Sequence, residues 1–270
     1  MRLGLAAWGL REMPLKDQLQ LTRNLGLDLL EFSIANYSKD SIQINSTDTE
    51  IAEVIRLFRE YDISLECGCT GNDFTGDDVD AQVVRMKQII TLAAALGLKY
   101  LRIFAGFSSD SVVCAKKFDR MIEALTEVNT FAVANKITLC VETHGGVKVL
   151  PDGSLLHFNS VSTRCDHWMK ILKTGVSICF DPANLEAVGS VSPVEFFKSF
   201  RSNIPYVHLK DFRKFSGGII PAACGEGSLN WQDLMNELKS YQGPAMIEYE
   251  LPEDAADGML RSLNFIKRFI

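Results

Sequence analysis

The sequence predicts a (β/α)₈ barrel, and three observations support this fold class. Short apolar runs alternate strictly with longer amphipathic segments, eight of each. Strict alternation predicts a parallel sheet, and 270 residues are close to the ~250 residues that eight strand–helix units usually take. The competing fold, an open doubly wound sheet, predicts a G-x-G-x-x-G turn after the first strand, and no such turn is present. We expect residues 1–270 to form a single domain.

Eight apolar runs have the length and the composition of strands buried on both faces. They cover residues 2–8, 27–34, 63–69, 100–106, 137–143, 176–181, 205–211 and 245–251.

Helical patterns separate these runs, and two of them carry clear end signals. Thr47 with Glu50 forms a candidate capping box, and Gly97 stands where a helix takes a left-handed final residue. The helices are predicted over residues 15–26, 47–61, 80–97, 111–135, 160–175, 192–200, 230–240 and 254–270. The longest irregular stretches, 144–159 and 212–229, directly follow strands, and in a barrel such loops line the catalytic face.

Composition excludes several classes of partner. Hydrophobic residues make up 47%, charged residues 23%, and the net charge is −6, so we expect no nucleic-acid partner. No segment has the 18 apolar residues of a membrane span, and the N-terminus lacks a secretory pattern. Seven scattered cysteines are typical of a reducing compartment. We therefore expect a cytoplasmic protein without membrane contact; a homo-oligomer is compatible with the sequence.

The informative residues are polar side chains at the ends of buried strands. Runs five to eight carry Glu142, Asp181, His208 and Glu248 at or near their C-terminal ends. Four successive barrel strands can deliver these side chains to one mouth, because alternate residues of a strand face the lumen. Three carboxylates and one imidazole suit one divalent metal ion, Mn²⁺ or Mg²⁺ first and Zn²⁺ as an alternative.

Each of these residues also has a purely structural interpretation. Asp181 precedes Pro182 and can cap the next helix. His208 can be a core histidine with satisfied hydrogen bonds, and Glu248 can pair with Lys210. The metal interpretation is favoured because the four ligand-type residues occur on four successive strands, and because clustered carboxylates repel one another without a cation.

Further residues are candidates for contact with a substrate. His144 shares a strand face with Glu142, so it either binds a substrate hydroxyl or supports a ligand. Lys210 can neutralise an enediolate or contact a hydroxyl, and Trp8 can form an apolar wall against a sugar ring. We expect Glu31 and Arg102 to pair inside the barrel.

Several segments together carry a family resemblance. VETHGG (141–146), FDPAN (180–184), YVHLKD (206–211), GEG (225–227) with the following NW, and IEYE (247–250) resemble, in order, the signatures of the xylose isomerase-like TIM-barrel superfamily. LGLDLLEF (25–32) and LGLKYLRIFAG (96–106) extend the resemblance over nearly the whole chain.

The resemblance implies roles for the strand-end residues. It implies that Glu142, Asp181, His208 and Glu248 are the metal ligands, and that Glu142 and Glu248 act as acid and base on opposite faces of a ketose. Ketose 3-epimerases of the family carry a histidine where this chain has Asn184, a departure that argues against a simple tagatose- or allulose-type epimerase. We assign Asn184 to substrate binding. Asp211 is a lone candidate for a second metal, so no second site is predicted.

The expected function is a metal-dependent sugar isomerase or epimerase that acts by proton transfer through an enediolate. The substrate is a small sugar or a related polyol ketone. Two alternatives stay open at this point: an inosose-type dehydratase using the same chemistry, and a barrel that binds a sugar or metabolite without turnover.

Overall fold

The computed structural model describes residues 1–36, 38–215 and 217–270. Twelve strands lie within these residues: β1 Arg2–Leu5, β2 Phe32–Ser33, β3 Cys67–Cys69, β4 Tyr100–Ile103, β5 Thr138–Glu142, β6 Gly146–Val149, β7 Leu155–Phe158, β8 Ser177–Phe180, β9 Tyr206–Leu209, β10 Asp211–Phe215, β11 Gly218–Ala222 and β12 Pro244–Ile247.

Eight of these strands form a parallel barrel in the order β1-β12-β9-β8-β5-β4-β3-β2. Leu5 at the end of β1 makes a parallel bridge to Leu30 just before β2, and this bridge closes the barrel. The predicted (β/α)₈ barrel is thus confirmed. Every predicted strand is found, although each is shorter than its apolar run.

Nine helices lie within the described residues. They are α1 Leu15–Asn24, α2 Asp48–Glu60, α3 Val79–Ala95, α4 Ala115–Ala134, α5 Cys165–Ile171, α6 Pro182–Val188, α7 Pro193–Phe200, α8 Trp231–Leu238 and α9 Ala255–Ile266. Eight correspond to the predicted helices, and α6 is additional. The Thr47–Glu50 capping box is present at the start of α2, and Gly97 takes a φ of 76° after α3. No helix in the described ranges is long and apolar enough to span a membrane.

The two stretches expected to be irregular are β-hairpins. Strands β6 and β7 pair with each other, as do β10 and β11, and Ile219 pairs with Leu155 to join the hairpins. The result is a four-stranded antiparallel sheet, β10-β11-β7-β6, built from the loops that follow β5 and β9. We call this sheet the crown.

The side chains inside the barrel form layers, and successive layers are two residues apart along each strand. The lower layer is apolar and consists of Ala6, Leu29, Cys67, Cys140, Cys179, Tyr206 and Met246. Two residues further along five of these strands stand Glu31, Glu142, Asp181, His208 and Glu248, all buried. Because alternate side chains share a strand face, the apolar layer fixes which residues of each strand enter the mouth.

Candidate metal centre

The four strand-end residues predicted as ligands converge in the mouth of the barrel. One ligand atom from each of Glu142, Asp181, His208 and Glu248 lies within 4.8 Å of all the others, and all four side chains are buried. His208 Nδ1 is 3.4 Å from Glu248 Oε2 and 4.0 Å from Glu142 Oε1. The imidazole therefore presents Nδ1, and not Nε2, to the carboxylates of Glu142 and Glu248.

The two carboxylate oxygens of Asp181 have different environments. Its Oδ1 accepts a hydrogen bond from the backbone N–H of Asn184 at 3.0 Å and caps α6. Its Oδ2 has no hydrogen-bond partner in the described part of the chain. The capping role considered from the sequence is thus present, and it leaves the second oxygen free for the cluster.

His208 is held from behind by Glu31. Nε2 lies 3.2 Å from Glu31 Oε1, which also accepts from the hydroxyl of Tyr206 at 2.6 Å. The other oxygen of Glu31 accepts from the backbone N–H of Ala7 at 3.1 Å. A carboxylate that accepts from one ring nitrogen fixes the tautomer that leaves the other nitrogen free to bind a metal.

Glu31 and Arg102 were expected to pair with each other, and the structure gives them different partners. Arg102 Nε lies 3.2 Å from Glu142 Oε2, and its Nη1 donates to the carbonyl of Thr70. Asn184 Nδ2 donates to the other oxygen of Glu142 at 3.0 Å. Glu142 is therefore held on both oxygens, and Asn184 contacts this glutamate.

The ammonium of Lys210 lies beside three carboxylates. It is 3.1 Å from Asp181, 3.0 Å from Glu248 and 3.2 Å from Glu250, and its hydrogen bond goes to Glu250. The ion pair between Glu248 and Lys210 that the sequence offered as an alternative is therefore present together with the cluster.

The pKa values of the carboxylates move in opposite directions. Burial raises the pKa of Asp181 to about 6, against the opposing effect of Lys210. Burial acts on Glu248 in the same direction, but Lys210 and His208 outweigh it and hold the pKa of Glu248 well below its ordinary value. Asp181 is thus the carboxylate of this pair that takes a proton more readily when no metal is bound.

The donor set fits a divalent cation. Within the described residues, Asp181 Oδ2, His208 Nδ1 and Glu248 Oε2 are buried without a hydrogen-bond partner, and buried polar atoms in native proteins almost always have one. Five carboxylates, those of Glu31, Glu142, Asp181, Glu248 and Glu250, surround two side-chain cations, Arg102 and Lys210. Lys210 already lies beside Asp181 Oδ2 and Glu248 Oε2. A divalent ion would be a further partner for the three atoms and would offset most of the excess negative charge.

Aromatic rings form one wall beside the cluster. His144 packs edge-on against Phe104 and Phe107 at centroid distances of 5.2 and 5.3 Å. The ring of His157, on crown strand β7, lies 6.1 Å from that of His144 and 5.1 Å from that of Phe212.

Trp8 lies outside the contacts that join the cluster. It follows β1, and its ring is covered by the guanidinium of Arg11 at 4.6 Å. Arg11 in turn donates to the carbonyl of Glu250. The structure therefore connects Trp8 to the end of β12, whereas Lys210 and Asn184 contact the predicted ligands directly.

The carboxylate of Asp211 is hydrogen-bonded by the loop that follows it in the chain. Its two carboxylate oxygens accept from the backbone N–H groups of Phe212, Gly225, Gly227, Ser228 and Leu229 and from the indole of Trp231. Gly225 has a φ of 87°, and a Cβ at Gly227 would stand 2.1 Å from Asp211 Oδ1. The GEG segment thus wraps the carboxylate, and all of these contacts are made within the protein.

Comparison with known proteins identifies the family. The family model described as xylose isomerase-like TIM barrel matches residues 19–269. The chain therefore belongs to the xylose isomerase-like TIM barrel family. No curated protein sequence matches it.

Solved structures of several proteins have the same fold. D-allulose 3-epimerase from Methylomonas sp., in complex with D-allulose, superposes with a TM-score of 0.77 at 14% identity, covering 100% of this chain and 97% of that one. The probable 3-DHS dehydratase AsbF from Bacillus anthracis gives 0.76 at 14% identity, covering 99% of both chains. The IolI protein with a bound zinc atom gives 0.74 at 17% identity, covering 100% and 99%. At these identities the likeness shows the fold alone.

His157 is the residue of the mouth that the sequence did not indicate. It lies on β7, Leu155–Phe158, within a stretch that the sequence predicts to be irregular. The other polar residues of the mouth are recognisable because they stand at the ends of apolar runs. His157 reaches the mouth on a hairpin, so its position in the sequence does not mark it in this way.

Proposed function

We propose that the protein is a divalent-metal-dependent isomerase or epimerase acting on a small ketose or related polyol ketone by proton transfer. The observation that carries the proposal is the convergence of Glu142, Asp181, His208 and Glu248 within 4.8 Å of one another. Three of their ligand atoms make no hydrogen bond among the described residues, and the ammonium of Lys210 is the cation beside the two carboxylate oxygens of this set. Mn²⁺ or Mg²⁺ suits this oxygen-rich set best, and Zn²⁺ is the alternative.

We assign the roles of base and acid to Glu142 and Glu248. They come from β5 and from the end of β12, strands that are separated in the barrel by β8 and β9, so they approach the cluster from two sides. A divalent cation held by Glu142, Asp181, His208 and Glu248 would supply Lewis acidity, which would polarise the substrate carbonyl and acidify the adjacent carbon-bound hydrogen. Glu142 removes this proton, and the C–H electrons form the double bond of the enediolate. Glu248 takes up a proton from solvent and delivers it to carbon to complete the product, and Glu142 then releases its proton to solvent.

Charged and polar side chains beside Glu142 and Glu248 orient the two carboxylates. Arg102 and Asn184 fix the orientation of the Glu142 carboxylate. Lys210, 3.0 Å from Glu248, supplies a positive charge beside the oxygen that becomes anionic in the enediolate. These contacts hold both glutamates in place before a substrate arrives, which is the condition for efficient proton transfer.

Deuterium exchange tests the proposed reaction. Wild-type protein loaded with Mn²⁺ is incubated in D₂O with ketoses and inososes, and NMR measures deuterium at the carbon next to the carbonyl. We expect incorporation with at least one of these ketones. Glu142→Gln keeps the size of the side chain and one coordinating oxygen, and we expect it to lower the exchange rate ~10²–10⁴-fold, the usual effect of losing a general base. Turnover that leaves the product unlabelled would establish a hydride shift and refute proton transfer.

A dehydratase is the second candidate, and the position of Lys210 favours it. An ammonium within hydrogen-bond distance of Glu250 and close to the cluster can protonate a departing hydroxyl after the same proton abstraction by Glu142. The two reactions differ in their products, because elimination releases water and gives a conjugated ketone that absorbs in the ultraviolet. A substrate that binds without any exchange or product would support the third alternative, a non-catalytic binding barrel.

A further inference from the structure

The crown places one histidine over the mouth without giving it a protein partner. His157 stands on β7 opposite Val147 of β6. Both of its ring nitrogens are buried, and neither has a hydrogen-bond partner in the described residues. A buried polar group without a partner in a native structure calls for an explanation, and a bound ligand is one such explanation.

The surroundings of His157 belong to the same pocket as the candidate metal centre. Its ring contacts Phe212, which follows β9 of the barrel, at 5.1 Å and 62°. On the other side it faces His144, two residues beyond Glu142, at 6.1 Å and 34°. The ring of Phe212 in turn lies 5.3 Å from the ammonium of Lys210, which lies beside the cluster. His157 therefore borders the space that a substrate held at the cluster would occupy.

The partner that His157 can accept is a neutral hydroxyl group. Burial lowers the pKa of His157 to about 3, so the ring is uncharged near neutral pH and offers one donor and one acceptor. A hydroxyl can use both functions, whereas a phosphate or a carboxylate needs donors and gains nothing from the acceptor.

We propose that His157 is a specificity-determining residue that binds a hydroxyl of an unphosphorylated polyol ketone, at the end of the substrate away from the metal. This inference rests on the proposed function and narrows its substrate class. The crown hairpin would thus contribute to the choice of substrate, and the barrel strands would contribute the chemistry.

The test compares His157→Phe with a matched control, His167→Phe. Phenylalanine keeps an aromatic ring against Phe212 and removes both polar atoms. His167 lies on α5, where its ring is tilted by 51° against that of Phe118 at 4.9 Å, outside the contacts of the mouth described above. Isothermal titration measures the binding of Mn²⁺, and then of D-allulose, D-tagatose, L-ribulose and an inosose, to each Mn²⁺-loaded protein.

We expect His157→Phe to leave Mn²⁺ affinity unchanged within about a factor of two. Its affinity for the best-binding ketone should fall about tenfold, as for the loss of one buried hydrogen bond. His167→Phe should change neither affinity. His157→Gln, which keeps a donor and an acceptor, should recover part of the ketone affinity.

Deoxy analogues of the same ketone identify the hydroxyl that is bound. The analogue that lacks it should bind wild type as weakly as it binds His157→Phe, and the other analogues should still distinguish the two proteins. Equal binding of the parent ketone to wild type and His157→Phe would overturn the inference.

The failure of this inference and the failure of the proposed function give different results. If wild type exchanges deuterium and its ketone affinity equals that of His157→Phe, the inference alone is refuted. Ketone binding that depends on His157 without any exchange refutes the proposed reaction and supports the subsite. Mn²⁺ binding without binding of any of the four ketones refutes both the substrate class and the subsite.

Discussion

Replacing Asp211 by Asn is expected to destabilise the fold strongly, although the change is nearly isosteric. Asp211 is a buried carboxylate with six donors directed at it. Its Oδ1 accepts from Phe212, Ser228 and Leu229, and Oδ2 accepts from Gly225, Gly227 and the Trp231 indole, at 2.7–3.2 Å.

The magnitude follows from this geometry. An amide side chain has only one acceptor oxygen, so in Asp211→Asn three donors would face an NH₂ group whichever way the new amide were oriented. A buried donor left without a partner costs ~1–3 kcal/mol. The low end is appropriate because several of these contacts are only partly buried, and it gives a loss of roughly 3 kcal/mol in the free energy of unfolding. For a domain of this size that corresponds to a decrease in Tm of roughly 6–12 °C.

The assay is urea and thermal unfolding at pH 7, with Asp257→Asn as the control. Asp257 is exposed and pairs with Arg261 one helical turn away, and such a pair contributes ~0.3–0.5 kcal/mol. A loss below about 1 kcal/mol for Asp211→Asn, similar to the control, would refute the reasoning. It would mean that water replaces the lost acceptor and that the loop does not depend on the carboxylate.

Three further predictions concern the mouth. Glu31→Gln should weaken Mn²⁺ binding ~10–100-fold by calorimetry, because it loosens the support of a ligating imidazole; unchanged affinity would show that this support is unimportant. Glu248→Gln should lower Mn²⁺ affinity by more than ~100-fold, because it changes a ligand. Glu250→Gln should lower it by at most ~10-fold, since Glu250 contacts Lys210 and not the cluster. Equal losses of affinity in the two variants would contradict the assignment of Glu248 as the ligand. The folded-state pKa of His157 is depressed to about 3 from 6.5, so stability is lost as the pH falls below 6.5. At pH 5 the contribution of His157 to this loss is about 2 kcal/mol. The pKa of His144 is also lowered to about 3, and this residue contributes in both proteins, so the loss between pH 8 and pH 5 in urea unfolding should be about 2 kcal/mol smaller in His157→Phe than in wild type.

The alternation of side chains along buried strands is the one rule from which the amino-acid sequence predicts both the barrel and the ligand-type residues of its mouth. Glu142 lies two residues beyond Cys140, His208 two beyond Tyr206 and Glu248 two beyond Met246. The apolar layer and the polar layer are therefore encoded in the same strands. Strand positions and lumen-facing residues are local properties of the chain, and for this reason the sequence alone is enough to predict them.

Contacts among these polar groups depend instead on the folded chain. Arg102 pairs with Glu142 and Glu31 supports His208, because contacts across a barrel depend on the stagger of strands far apart in sequence. The crown depends on the pairing of Ile219 with Leu155. This is a long-range contact, and the sequences of the two short hairpins do not predict it. Through this pairing the hairpin that carries His157 is held over the mouth, and no local pattern of residues could have placed it there.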